Sequence, residues 1–153
     1  VVVGYGPVGQ TVTRLLRQNG IQPFVIEMNV ATVRDLRQAG IDAIYGDAAM
    51  RDILIAAKVE RSDSLILSAS SVQGGQEVVR LARELNPDIH VLTRSNYVRE
   101  QAELRKAGAD SVLSGEGEVA LAMTETLLRE LGATPEQIDV ERERVRAELQ
   151  TGG

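Results

Sequence analysis

The first nine residues constrain this chain more than any other stretch. Val1-Val2-Val3 is a β-branched run that leads straight into Gly4-Tyr5-Gly6-Pro7-Val8-Gly9, a G-x-G-x-x-G pattern. Val8, Val12, Leu15 and Leu16 then recur at i, i+4, i+7 and i+8, the spacing of one helix face. Each glycine answers a different demand. Gly4 permits a tight strand-to-helix turn, Gly6 lets backbone approach a pyrophosphate, and Gly9 lets the helix lie against a sheet. Pro7 suits the first helical position, where its missing N–H would be unpaired anyway. Such a helix aims its free N–H groups and the positive end of its dipole at a bound phosphate. The run predicts a nucleotide site, against the simpler reading of a structural turn.

The rest of the chain repeats a β-α unit. Arg17-Gln18-Asn19-Gly20, Arg37-Gln38-Ala39-Gly40, Arg105-Lys106-Ala107-Gly108 and Arg129-Glu130-Leu131-Gly132 share one helix ending, a basic last turn followed by glycine. Between them lie short apolar runs at Phe24–Ile26, Ala43–Tyr45, Leu65–Leu67, His90–Leu92 and Ser111–Leu113. With the opening valines these make six strands. Most are continuous rather than alternating, as parallel strands covered on both faces are. Helices are predicted at about Val30–Ala39, Ala49–Ala57, Val72–Leu85, Tyr97–Ala107 and Val119–Leu131. Strict alternation predicts an α/β fold: a Rossmann-like, doubly wound, six-stranded parallel sheet of order 3-2-1-4-5-6 with C-terminal helices. Leu36–Ile44 echoes Leu104–Val112, which would make these the outermost strand units of the two halves. Convergence of short α-β turns would explain the echo equally well.

Val119–Leu131 is apolar around more than one face, which points to a second chain packed against it. Thr134-Pro135-Glu136-Gln137 then reads as a capped helix start. The charged stretch from Ile138 to Leu149 reads as a surface helix, connector or partner-binding arm. The expected division is a nucleotide-binding domain over 1–132 and a charged helical arm over 133–153.

Composition removes other classes. The net charge is −5, which argues against nucleic acid or an anionic membrane surface as partner. There is no cysteine, so disulfides and thiolate chemistry are excluded. No apolar run reaches the ~18 residues of a membrane span, and no signal-peptide pattern opens the chain. The lack of an initiating Met suggests a piece of a longer polypeptide.

Glu27 ends the second run, where an acid of this fold accepts hydrogen bonds from the adenosine ribose; the alternative is a solvated strand end. The neighbouring Met28 and Asn29 are not basic, which favours NAD or an adenine nucleotide over NADP. Asn29 is expected to cap the next helix. Asp47, in Gly46-Asp47-Ala48 after the third strand, suits either adenine or a helix N-cap. Ser68, Ala69 and Ser70 follow the fourth strand at the switch point, where a serine could touch phosphate or ribose, or cap a helix. Arg94 ends the fifth strand and suits either a phosphate or a loop acid. His90, at the opposite end of that strand, is not expected to be catalytic. Tyr97-Val98-Arg99-Glu100-Gln101 fails the Tyr-x-x-x-Lys pattern of short-chain dehydrogenases. No metal cluster, nucleophile elbow or Walker lysine is found. A nucleotide reader without chemistry fits best, and the cofactor domain of a small NAD-dependent oxidoreductase is the alternative.

The run Gly40-Ile41-Asp42-Ala43-Ile44-Tyr45-Gly46-Asp47-Ala48, with Val1–Leu16, Phe24–Glu27, Val91–Arg94 and Arg105–Asp110, resembles the RCK or TrkA-N domain. The version found in Kef-type monovalent cation:proton antiporters is the most similar. The resemblance implies a domain on the cytoplasmic side of an inner-membrane transport protein. It would bind NAD(H) or AMP, ADP or ATP and regulate potassium or other cation transport. It further implies a homodimer in which the helix after the sixth strand crosses to the partner. The ligand set expected is Gly4, Tyr5, Gly6, Pro7, Val8, Gly9, Glu27, Met28, Asp47, Ala48, Ser68, Ala69, Ser70 and Arg94. The sequence Ser68-Ala69-Ser70-Ser71 departs from the acidic loop of many relatives.

Overall fold

The computed structural model of the chain describes residues 1–69 and 72–151. Six parallel strands form one sheet in the order β3-β2-β1-β4-β5-β6. They are β1 (Val2–Val3), β2 (Phe24–Glu27), β3 (Asp42–Tyr45), β4 (Ser64–Leu67), β5 (His90–Ser95) and β6 (Ser111–Ser114). The helices are α1 (Pro7–Gln18), α2 (Val30–Gln38), α3 (Arg51–Ala56), α4 (Val72–Leu85), α5 (Gln101–Lys106), α6 (Gly115–Glu130) and α7 (Pro135–Thr151). β1 is short but central, with Val2 between Val25 and Ile66 and Val3 between Ile26 and Leu67. The strand order is the one the alternation predicts, and the reversal between β1 and β4 puts a crevice at the carboxyl edge.

Burial separates the two faces. Val2, Val25 and Ala43 pack with Val33 and Leu36 of α2 on one side, joined by Val12 and Leu16 of α1. Ile26, Leu65, Leu67, Val91 and Val112 pack with α3, α4 and α5 on the other, through Leu54, Val78, Val79, Ala82 and Leu104. The expectation of strands covered on both faces fails at the β6 edge, where Leu113 is exposed. The apolar face expected for α1 also shifts. Its buried residues are Gly9 and Thr13, while Leu15 points to solvent and Val8 is exposed as well. Two small residues one turn apart let the helix axis approach the sheet more closely than leucine would allow.

The four shared helix endings form as predicted. Gly20, Gly40, Gly108 and Gly132 all have positive φ. After each, the chain bonds back across the last turn, as in Ile41 N to Leu36 O at 2.9 Å and Ala109 N to Leu104 O at 3.1 Å. The echoing segments enter β3 and β6, the two edge strands.

Some boundaries differ from those expected. α3 starts two residues late, because the Asp47 carboxylate accepts the Ala49 N–H at 2.9 Å. The Asp47 carbonyl then accepts Met50 N at 3.0 Å. This turn occupies the residues assigned to the first helical turn, and Met50 rather than Asp47 takes the N-cap place. The segment expected as one helix over Tyr97–Ala107 begins as a 3-10 turn, Val98–Glu100, before α5. α6 starts four residues early because Ser114 caps it, its hydroxyl accepting Gly117 N at 3.0 Å. Asn29 caps α2 through Thr32 N at 3.1 Å, and Thr134 and Gln137 form the reciprocal pair at the start of α7.

α7 turns back along α6 and buries Ile138, and its Leu149 reaches the first turn of α6 near Gly117. Its charged side chains pair along the helix, as in Arg146 with Glu143 at 2.7 Å. Among the described residues, no helix is long and apolar enough to cross a membrane.

Candidate nucleotide-binding site

A cavity of about 570 Å³ opens at the carboxyl edge, over the point where the strand order reverses. That volume lies within the ~300–1,000 Å³ usual for small-molecule sites. The glycine loop forms its floor. Gly4 takes φ +88, which a side chain would strain, and its N–H donates to Ile26 O at 2.8 Å. A Cβ on Gly6 would meet nothing within 4 Å, so this part of the loop faces open space. A Cβ on Gly9 would lie 2.1 Å from the Gly4 carbonyl oxygen, so only glycine fits there.

Gly6 is the N-cap of α1 and Pro7 is in its first turn; among the described residues no side chain caps that end, and the first turn carries no acid. The first intrahelical bond of the turn is Gln10 N to Gly6 O at 2.9 Å, which leaves the Val8 and Gly9 N–H groups ahead of it. These N–H groups and the helix dipole favour an anion at this end of α1, where Gly6, Pro7 and Val8 line the cavity.

Glu27 sits on the β2 side, and its carboxylate is already in use. Oε2 accepts the Tyr5 N–H at 2.7 Å and Oε1 accepts the Asn29 N–H at 2.9 Å. Each oxygen keeps a further acceptor site, so the group can hold the loop and still receive two hydroxyl donors. Met28, Asp47 and Ala48 line the same end of the cavity.

Across the switch point, Ser68 and Ala69 line the β4 side, and Arg94 enters from β5. The Ser68 hydroxyl is turned toward the loop, 2.9 Å from Gly4 O and 3.0 Å from Val3 O. The Arg94 carbonyl accepts the Thr93 hydroxyl at 3.4 Å, but its guanidinium has no ion pair or hydrogen bond among the described residues, so the loop acid considered as its partner is not found there. It is the cation that lines the cavity.

The structure thus brings together Gly4, Tyr5, Gly6, Pro7, Val8, Glu27, Met28, Asp47, Ala48, Ser68, Ala69 and Arg94 around one cavity. Gly9 stands behind the loop as packing. Ser70 lies outside the described residues. Sequence reasoning missed Gly46, Gly74, Gly75 and Val78, which also line the cavity. The adjacent pair Gly74-Gly75 in the first turns of α4 was the available signal, since glycine is otherwise costly inside a helix.

His90 lies at the far edge, exposed, with Nδ1 3.6 Å from Asp110 Oδ2. The Asp110 carboxyl is held below its ordinary range mainly by the Val91 N–H and then by Arg83. This cluster ties β5 to β6 and has no part in the cavity.

The TrkA-N domain family matches residues 1–115, the whole sheet and the cavity included. The chain belongs to the TrkA-N family. It is 37% identical over 127 residues to the putative cation/proton antiporter YbaL of Escherichia coli K12. That match takes in 83% of this chain and 23% of the antiporter, so the TrkA-N chain spans about a quarter of its relative's length. The crystal structure of the TrkA-N domain of YbaL superposes with a TM-score of 0.80 over 82% of this chain and 93% of that one. An AMP-bound Kef C-terminal domain from Shewanella denitrificans shares the fold at 22% identity, with a TM-score of 0.84 over 99% of this chain and 92% of that one. The NAD-bound GsuK channel shares it at 19% identity, with a TM-score of 0.72 over 80% of this chain and 22% of the channel.

Proposed function

We propose that this TrkA-N domain is a nucleotide sensor: it binds NAD(H) or an adenine nucleotide (AMP, ADP or ATP) and gates an attached cation transporter, in the manner of a cation:proton antiporter. The observation that carries this reading is the uncapped N-terminus of α1, open to a cavity with Glu27 on one side and Arg94 on the other. Phosphate sits on Gly4–Gly9, ribose on Glu27, and adenine between Met28 and Asp47-Ala48. Arg94 takes a further anionic group. The AMP-bound and NAD-bound relatives support this ligand class. Among the described residues the site has binding groups and a cation but no paired acid and base, which supports a sensor over an enzyme.

The domain works on the cytoplasmic face of the inner membrane, joined to a transport domain of its own or a partner polypeptide, and it does not insert into the bilayer. Residues 1–132 hold the nucleotide and 133–153 form a charged arm, whose helix α7 (Pro135–Thr151) packs on α6. Two copies associate through α6, and nucleic acid is no partner at a net charge of −5. A ligand gates only by its differential affinity for two states, so the bound nucleotide must favour one arrangement of this pair.

Thermal unfolding with NAD⁺, NADH, NADP⁺, AMP, ADP and ATP at equal concentration tests the reading. A ligand that binds only the folded chain raises the midpoint by mass action, stabilising the chain by about 2.7 kcal/mol at one hundred times its Kd. NAD(H) or an adenine nucleotide should shift the midpoint, and NADP⁺ should not. A flat response to all six would overturn the proposal. Turnover of NADH with simple ketones would replace it with the cofactor domain of an oxidoreductase.

A further inference from the structure

One peptide group of the glycine loop is gripped from both sides. The Gly4 carbonyl accepts the Ser68 hydroxyl at 2.9 Å, and the Tyr5 N–H across the same amide plane donates to Glu27 Oε2 at 2.7 Å. Among the described residues, no other donor reaches Gly4 O. Val3 O, the second acceptor near the hydroxyl, is already served by the Ser68 backbone N–H at 3.0 Å. Gly4 has the positive φ of the turn, so this plane decides where the following N–H groups point.

The same oxygens carry the helix. A Cβ on Gly9 would lie 2.1 Å from Gly4 O and 2.8 Å from Ser68 Oγ, so the first turn of α1 rests directly on this pair. Rotation of the Gly4–Tyr5 plane would therefore move the very N–H groups that face the phosphate. Ser68 is buried and its hydroxyl points at the loop, which suits a support better than a ligand contact.

We propose that Ser68 is a positioning residue: with Glu27 it locks the Gly4–Tyr5 peptide plane and so sets the phosphate-binding geometry of the loop. The inference rests on the nucleotide reading of the site. Its function is to link the two halves of the sheet, since Ser68 belongs to the β4 side and Glu27 to β2. Phosphate affinity then depends on both halves being in register at β1.

The test compares adenosine with AMP by calorimetric titration of the wild-type chain and Ser68→Ala, alongside hydrogen exchange at the Tyr5 amide without ligand. The expected result is adenosine affinity within about twofold and AMP affinity lower by about tenfold, the scale of one lost hydrogen bond. Tyr5 exchange should accelerate, because the plane it belongs to is held from one side only. Ser68→Cys, which keeps the shape with a weaker donor, should fall between the two and guards against a folding defect in the alanine variant. Equal loss for adenosine and AMP would mean a direct ribose contact and would overturn the inference. So would unchanged AMP affinity with unchanged exchange. If the wild type binds neither ligand, the nucleotide reading fails, and Tyr5 exchange alone decides whether the lock exists.

Discussion

Glu27 holds the glycine loop through two backbone N–H groups, a task that its position in the sequence does not distinguish from the proposed ribose contact. Its place at the end of β2 was legible from the spacing after Gly9. Its bonds to the Tyr5 and Asn29 N–H groups were not, because the first joins residues 22 apart through the pairing of β1 with β2. A residue that only met ribose could be changed without cost to the empty protein. Glu27→Gln separates these cases, since its amide would turn a donor toward one of two backbone donors. We expect lower affinity for adenine nucleotides and also a lower unfolding midpoint without ligand, reflecting a stability loss of roughly 1–3 kcal/mol for a charge-assisted bond lost at a partly buried site. An unchanged ligand-free midpoint would reduce Glu27 to a ribose contact.

At the scale of elements, α1 shows where the site and the fold depend on the same residue and where they part. Its approach to the sheet depends on Gly9 and Thr13, and its N-terminus is open because Gly6 offers no cap. Gly9→Ala would drive a methyl into the backbone carbonyl of Gly4, which has no rotamer with which to retreat. The helix must shift, at about 1–3 kcal/mol by analogy with overpacked cores, and nucleotide binding should be lost even where the chain stays folded. Circular dichroism melting with a parallel AMP titration checks both halves of this expectation. Gly6→Ala makes the contrast: a Cβ there meets nothing, so stability should hold while the open cap is narrowed. The elements were largely legible, because the six apolar runs and four Arg-to-Gly endings obey local rules. The misplaced boundaries have local causes of another kind. The Asp47 turn delayed α3, and the Ser114 cap started α6 within Gly115-Glu116-Gly117, where two glycines hide a helix. The burial of α1 was misjudged because hydrophobic spacing favours large residues, whereas close packing here selects small ones.

For the whole molecule, the open question is what covers α6. Val119, Met123, Leu127 and Leu131 recur every fourth residue and are 58%, 68%, 56% and 73% exposed. At about 1.5 Å per residue this stripe is roughly 18 Å long, and exposed Leu113 on β6 and Val140 on α7 add to the apolar surface. Scattered apolar residues on a surface need no explanation, but a continuous stripe of this length marks an interaction site. A stripe of uncharged side chains is self-complementary about a two-fold axis, so a second copy is the simplest cover. The apolar breadth of Val119–Leu131 was legible in the sequence, but which of its faces α7 would leave open was not. Light scattering should therefore give a mass twice the 16.6 kDa of one chain. The double variant Met123→Glu and Leu127→Glu should return it to one, because four carboxylates brought together at a two-fold axis repel as well as lose apolar burial. The variant monomer should still melt cooperatively, since neither side chain enters the core. Its AMP affinity decides whether the cavity is complete within one chain. Unchanged binding would confine the pair to signal transmission. A wild-type chain that remains monomeric at tens of micromolar would exclude a stable pair and assign the α6 face to some other surface.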